Sequence, residues 1–248
     1  MSSIQQDLSV FSKFNFERPP IAIKFLLNKP EGIKRLDKNL ALCEILKEAQ
    51  DRKTPFYIDL KNQTCEPAGH IFGADIPEVF KAGHFGAALK IFKEGRDNSK
   101  IYKDFPRFEK GIVNYIVFSH IDKLSFDPDL LIVLTDNTSQ AEIILRAMSY
   151  TTGQMFSSKM TNVLGCGWLF VYPFLTGEIN YMTTGLSFGM KARRVFPEGR
   201  QLISIPYTWF PTITQNLKEM PWVLPAYTDK NGESVQQAFI DIGLTPPE

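Results

Sequence analysis

An α/β or α+β architecture is the fold class the sequence predicts, with two similar β-α-β halves packed as one domain around a pseudo-twofold. Three observations carry it. Short apolar runs bounded by turn residues alternate with amphipathic stretches along the chain. One run, Leu130-Leu131-Ile132-Val133-Leu134, is apolar at every position, as in a strand covered on both faces. Finally, four features of the first half recur in the same order in the second.

Taken in order, residues 1–15 read as an N-terminal arm or short polar helix. Arg18-Pro19-Pro20 pushes the backbone extended, and a strand follows over 21–27, interrupted by Lys24. After a turn at 28–32, Leu40, Ile45, Leu46 and Ala49 set a helical apolar face within 37–51 that carries Cys43. A second strand at 55–60 runs into a polar loop at 62–70 that holds Cys65 and His70. Residues 76–82 and 86–93 read as short helices, 100–110 has no single period, and 111–118 reads as a strand. Beyond 130–134, a helix starts with Thr138 or Ser139 as N-cap and runs to Tyr150, with Gly153 just past its end. Weaker strands are expected at 155–158, 168–172, 180–183 and 201–205, and a last helix within 209–220. Pro221, Pro225, Pro246 and Pro247 leave 221–248 as a surface tail.

The recurring features give the repeats. Phe16-Glu-Arg-Pro-Pro-Ile-Ala-Ile matches Phe126-Asp-Pro-Asp-Leu-Leu-Ile-Val, and the segment from Cys43 to Ala49 matches that from Ala141 to Ala147. Cys65 then matches Cys166, and Gly83-His-Phe-Gly86 matches Gly185-Leu-Ser-Phe-Gly189. The spacings differ only by loop-sized insertions, which places the halves at about 16–119 and 125–215 of a single domain over 16–220. Cys65 and Cys166 are then expected to approach each other across the axis, while Cys43 faces an alanine.

Composition bounds the function. The 248 residues carry 28 Lys+Arg against 27 Asp+Glu, a formal net charge of +1, with 44% hydrophobic and 22% charged residues. That balance is the one expected of a folded globular chain, and it lacks a polybasic grip on nucleic acid. No run of 18 apolar residues suggests a membrane span, and the N-terminal segment lacks the layout of a secretion signal, so the expected location is cytoplasmic. Three cysteines at long spacings are then expected as reduced thiols, not as a disulfide framework. The 20 phenylalanines are expected mostly in the core, and aromatics left at the surface admit a homodimer.

Several of these segments together resemble a known family. Arg18-Pro-Pro-Ile-Ala-Ile-Lys-Phe25, Cys43, Thr64-Cys65, Phe126-Asp-Pro-Asp129, Gln140-Ala-Glu142, Gly165-Cys166 and Leu202-Ile-Ser-Ile-Pro206 are similar, in this order, to the archaeal and bacterial conserved region ArCR, the domain of unknown function 169. The resemblance runs from about Phe16 to Pro206. It implies a cytoplasmic prokaryotic family, common in anaerobes, without an established activity, in which cysteines at the places of Cys43, Cys65 and Cys166 are family features. Glu66 and His70 depart from the small residues usual after the second cysteine. The segment 185–199 also lacks the Cys-x-Gly that many relatives show.

On chemistry, Cys43, Cys65 and Cys166 are candidate ligands of an iron–sulfur cluster, provided that both halves bring them together. With His70, five residues after Cys65, they form a Cys3His set suited to zinc, the less favoured metal. Buried apolar cysteines are the plain alternative. Cys166, between two glycines, is also a candidate nucleophile if His70, His84 or His120 stands beside it. Lys24 and Arg194 are candidate ligand-binding cations. Lys24 sits in an apolar strand and needs an anionic partner, and Arg194 belongs to the basic cluster Lys191-Ala192-Arg193-Arg194 with Arg200. The leading expectation is a protein that binds a small ligand or cofactor at a three-cysteine site between the halves. A thiol- or metal-dependent enzyme on a small anionic substrate and a non-catalytic accessory protein are the alternatives.

Overall fold

The computed structural model describes residues 7–246. Their frame is a mixed seven-stranded sheet: β1 (Ile21–Leu26), β2 (Lys34–Arg35), β3 (Phe56–Asp59), β4 (Tyr115–His120), β5 (Leu130–Leu134), β6 (Asn180–Thr183) and β7 (Gln201–Pro206). The spatial order is β2-β3-β4-β1-β5-β7-β6. Every neighbouring pair is antiparallel except β2 with β3. β1 is central, and its register sets Ile21 opposite both His120 and Ile132.

Alternation along the strands sends side chains to two faces. Ile21, Ile23 and Phe25 of β1, with Leu130, Ile132 and Leu134 of β5, join the core of the first face. Ala22, Leu131, Val133, Ile203 and Ile205 join that of the second. The second face is closed by α6 (Thr138–Ser149), which packs on α9 (Phe210–Glu219), and by a 3-10 helix, Ser9–Phe14. Of the segment expected as a polar arm, the described part therefore packs into the core through Val10, Phe11 and Phe14, whereas residues 1–6 lie outside the described residues.

The first face is covered by α1 (Leu42–Asp51), α2 (Glu66–Ile71) and a helical stretch made of the π-helical Gly167–Val171 and α7 (Tyr172–Thr176). Three short helices, α3 (Glu78–Lys81), α4 (His84–Ala88) and α5 (Gly95–Asp104), pack on one another beside it, and α8 (Phe188–Ala192) leads toward β7. Beyond α9, α10 (Pro225–Thr228) and α11 (Glu233–Asp241) contribute no buried residue.

The sequence places a strand at 168–172, and this segment is helical instead. Trp-Leu-Phe-Val-Tyr has the β-branched and aromatic content of a strand, but its Leu169, Phe170 and Val171 all reach the same core. Pro173 explains the π turn. A proline ring clashes with the carbonyl four residues back, and the wider i−5 bond from the Tyr172 N–H to the Gly167 carbonyl relieves that clash. No strand forms at 155–158. The polar loop expected at 62–70 closes as α2 from Glu66 onward, and the N-cap of α6 is Asn137, whose side chain accepts the Gln140 N–H.

Outward from the β1–β5 boundary the strands run β1, β4, β3, β2 on one side and β5, β7, β6 on the other; apart from β2, which has no counterpart, each half places its first strand innermost, its last next and its middle one outside. The helices do not follow this order. A twofold that exchanges antiparallel β1 and β5 runs perpendicular to the sheet and keeps each face on its own side. Yet α1, which follows β1, covers the first face, and α6, which follows β5, covers the second. Cys65 comes after β3, whereas Cys166 comes before β6. The expected pseudo-twofold therefore relates neither the helices nor these two cysteines.

Candidate functional site

On the first face lies a cavity of about 360 Å³, within the ~300–1,000 Å³ typical of small-molecule sites. Cys43, Cys65 and Cys166 all line it. Each stands at the start of a helix. Cys43 lies in the first turn of α1, whose N-terminus is closed by Glu44 accepting the Ala41 N–H at 2.8 Å. Cys65 is the N-cap of α2. Cys166 immediately precedes the π-helical turn. The three thiols thus meet in one cavity from three separate helix starts.

Backbone geometry around Cys166 is specialised. Leu164 adopts φ 57°, a left-handed conformation costly for a branched side chain. At Gly165 a Cβ would lie 2.5 Å from the Ser187 Oγ, so only glycine lets this turn come so close to the start of α8. At Gly167 a Cβ would stand 3.2 Å from the Pro106 carbonyl oxygen. The glycines flanking Cys166 therefore secure the close backbone approach that their spacing suggests.

The three thiols are not equivalent. Cys43 is buried, and its pKa is lowered, chiefly by a hydrogen bond from Cys166 and further by the Arg193 charge, against the cost of burial. Cys166 is held well above the ordinary thiol value, because its proton is the one shared with Cys43 and because it is desolvated. Cys65 is raised by burial, with Arg193 opposing. Within the pair, the shared proton favours ionisation at Cys43 and opposes it at Cys166.

Arg193, not Arg194, is the cation that lines the cavity. It donates to the Gly189 carbonyl at 3.1 Å, with Glu44 4.0 Å away. Both arginines are exposed, Arg193 at the cavity and Arg194 at φ 51° in the turn after α8. Lys24 does not reach the cavity: it pairs with Asp129 at 2.9 Å, and the second oxygen of that carboxylate accepts the Phe25 N–H at 2.7 Å. The anionic partner the lysine requires is thus supplied by the fold itself. Arg200 is likewise spent, on Glu17 and Asp136 at 2.8 and 2.9 Å. His70 is buried on the core side of α2, with Nδ1 2.7 Å from the Ala74 carbonyl and its ring against Phe105. It does not join the cysteines, and neither His84 nor His120 lines the cavity. Among the described residues no three His, Cys, Asp or Glu side chains are grouped to hold a metal ion, so the thiols as arranged do not fit a Cys3His zinc set or a closed cluster site.

Much of the lining lay outside the sequence reading. Asn98 and Tyr102, one turn apart on α5, are part of it. Asn98 is 2% exposed, and its Oδ1 has no hydrogen-bond partner among the described residues. Leaving such an acceptor dry and unpaired costs about 1–3 kcal/mol. Tyr102 has its pKa pushed up to about 12 by burial and by Cys65. The stretch 100–110 showed no single period, and α5 begins at Gly95 within a polar run, so nothing in the sequence pattern marked its inner face. The rest of the lining, including Phe80, Phe85, Ile71 and Met190, is apolar.

Among curated proteins, an uncharacterized protein of the archaeon Methanocaldococcus jannaschii is similar: 22% identical over 187 residues, covering 73% of this chain and 79% of its own. No solved structure matches. No helix among the described residues is long and apolar enough to cross a membrane. The sequence profile of domain of unknown function 169, the uncharacterised ArCR, matches residues 12–216, which span the whole sheet and every wall of the cavity, and the chain belongs to that family.

Proposed function

We propose that the protein binds a small organic anion in the cysteine-lined cavity, with the anionic group on Arg193, the ligand's body against the apolar lining, and the Cys43 thiol within its reach. One observation carries this reading: three thiols from separate helix starts, one arginine and an apolar lining share a single cavity. Arg193 supplies positive charge, and the apolar walls supply burial. We further infer that the strand frame derives from a duplicated unit, supported by the shared first–last–middle strand order.

The test is differential alkylation. Iodoacetamide labelling of native protein, read by mass spectrometry for each cysteine, should be fastest at Cys43 or Cys65 and slowed by small carboxylates that also raise the melting temperature. Labelling unaffected by any such compound would count against the reading. The convergence of three thiols favours one second reading, a metal or iron–sulfur centre that forms when the cysteines draw closer. Iron and acid-labile sulfide in anaerobically purified protein, lost on Cys→Ser at each of the three positions, would replace the organic anion with a cluster.

A further inference from the structure

Asn98 gives the cavity a direction. Its Nδ2 donates to the Gly83 carbonyl at 3.4 Å, and only the amide's NH2 end can serve that acceptor, which fixes Oδ1 as the unpaired atom. The side chain is wedged from behind, since a Cβ on Gly86 would lie 2.3 Å from Nδ2. Gly83 is equally constrained: at φ 78°, a Cβ there would fall 2.0 Å from the Gly95 carbonyl oxygen, so α4 and α5 interlock through glycines and hold the amide in place. An amide oxygen accepts and cannot donate, so whatever completes it must bring a proton.

In the same cavity Arg193 sets the reverse requirement. It offers only donors and a positive charge. Cys65 and Tyr102 line the same space. Resting on the ligand-binding reading above, we infer that the ligand is bipolar: an N–H or O–H donor seated on Asn98, and a carboxylate seated on Arg193, joined by an apolar span that passes over the cysteines. Monoamides of dicarboxylic acids are the simplest compounds of this class.

The experiment is calorimetric titration of the full chain with succinamic, glutaramic and adipamic acids, each beside its monomethyl ester and its diamide. The ester keeps the anion and removes the donor; the diamide keeps the donor and removes the anion. At the best length the monoamide should bind about tenfold or more tighter than either, the worth of one buried hydrogen bond. Asn98→Leu should erase its advantage over the ester, and Arg193→Gln its advantage over the diamide. An ester that binds wild-type protein as tightly as its monoamide overturns the bipolar ligand and leaves the cavity as an anion site. If no compound binds or slows alkylation of any cysteine, both the bipolar ligand and the ligand-binding reading fall. The wild-type comparison alone decides the matter, should either variant fail to fold.

Discussion

The amide that borders the cavity is treated differently from three other buried amides of the fold. On the second face Asn216, 1% exposed, donates to the Ala147 carbonyl at 2.8 Å and lies 2.9 Å from the Thr151 hydroxyl, tying α9 to α6. Asn62 and Asn180, equally buried, each hold loops through two backbone carbonyls. Asn98, above the first face, makes one long bond and leaves its oxygen bare. Three of these amides complete the fold, and the fourth is incomplete within it. A buried polar atom left unpaired is costly, and such costs concentrate where a protein meets something else.

The sharpest way to break this contrast is to open a hole on each face. Phe210→Ala, at a side chain 1% exposed between α9 and the sheet, should cost about 3–5 kcal/mol in urea unfolding. Phe85→Ala, 45% exposed on the cavity wall, should cost less than half as much. Equal losses would mean that the cavity wall is ordinary core. Next in size, Asn216→Leu should destabilise by about 1–3 kcal/mol, through the stranded Ala147 carbonyl, whereas Asn98→Leu should be close to neutral, because little is stranded. A large loss at Asn98 would make it a structural amide.

The thiols sharpen the contrast further through pH. Cys43 ionises more readily folded than unfolded, so its contribution to stability grows as pH rises through its folded pKa and levels off above the ordinary thiol value. Cys65 and Cys166 are held up, so they oppose folding once pH passes that ordinary value. Alkylation followed against pH should show one thiol titrating early and two late. Cys166→Ala, which removes the donor to Cys43, should move the early step upward, and an unmoved step would show that Arg193 and the helix terminus suffice. The smallest effect belongs to Lys24→Met. Its ion pair is part-exposed, with side chains 31% and 18% accessible, and should be worth no more than about 1 kcal/mol, without effect on alkylation.

Much of the frame was legible in the chain. β5 and β6 fall where the apolar runs end, β1, β3 and β7 within a residue or so, and α6 and α9 follow their periodicity. These segments bury a continuous face, so local pattern and tertiary role agree. The failures are of another kind. The 168–172 run has strand composition, but Pro173 and its packing make it helical. Of the short helices, α3 and α4 overlap the helices expected at 76–82 and 86–93, whereas α2 and α5 form in polar runs without a helical period. For the site, convergence of the three cysteines followed from reading them as one set, though the expected symmetry is not what unites them. Lys24 was legible as a residue in need of a carboxylate, but not that Asp129 is that carboxylate. Arg193 rather than Arg194 lines the cavity, a one-position distinction that a basic cluster hides.

The position of β1 also sets an order in time. Its two sheet neighbours, β4 and β5, are the fourth and fifth strands of the chain, so the central strand must wait for both before it is covered. Cys43 and Cys65 leave the ribosome ahead of both neighbours, whereas Cys166 follows them. Non-local pairing of this kind is slow to form. For that interval two of the three thiols have no sheet to shelter against, and a bond between them would lock the starts of α1 and α2 together before the third cysteine arrives. Oxidative refolding is therefore the condition under which this chain is easiest to trap.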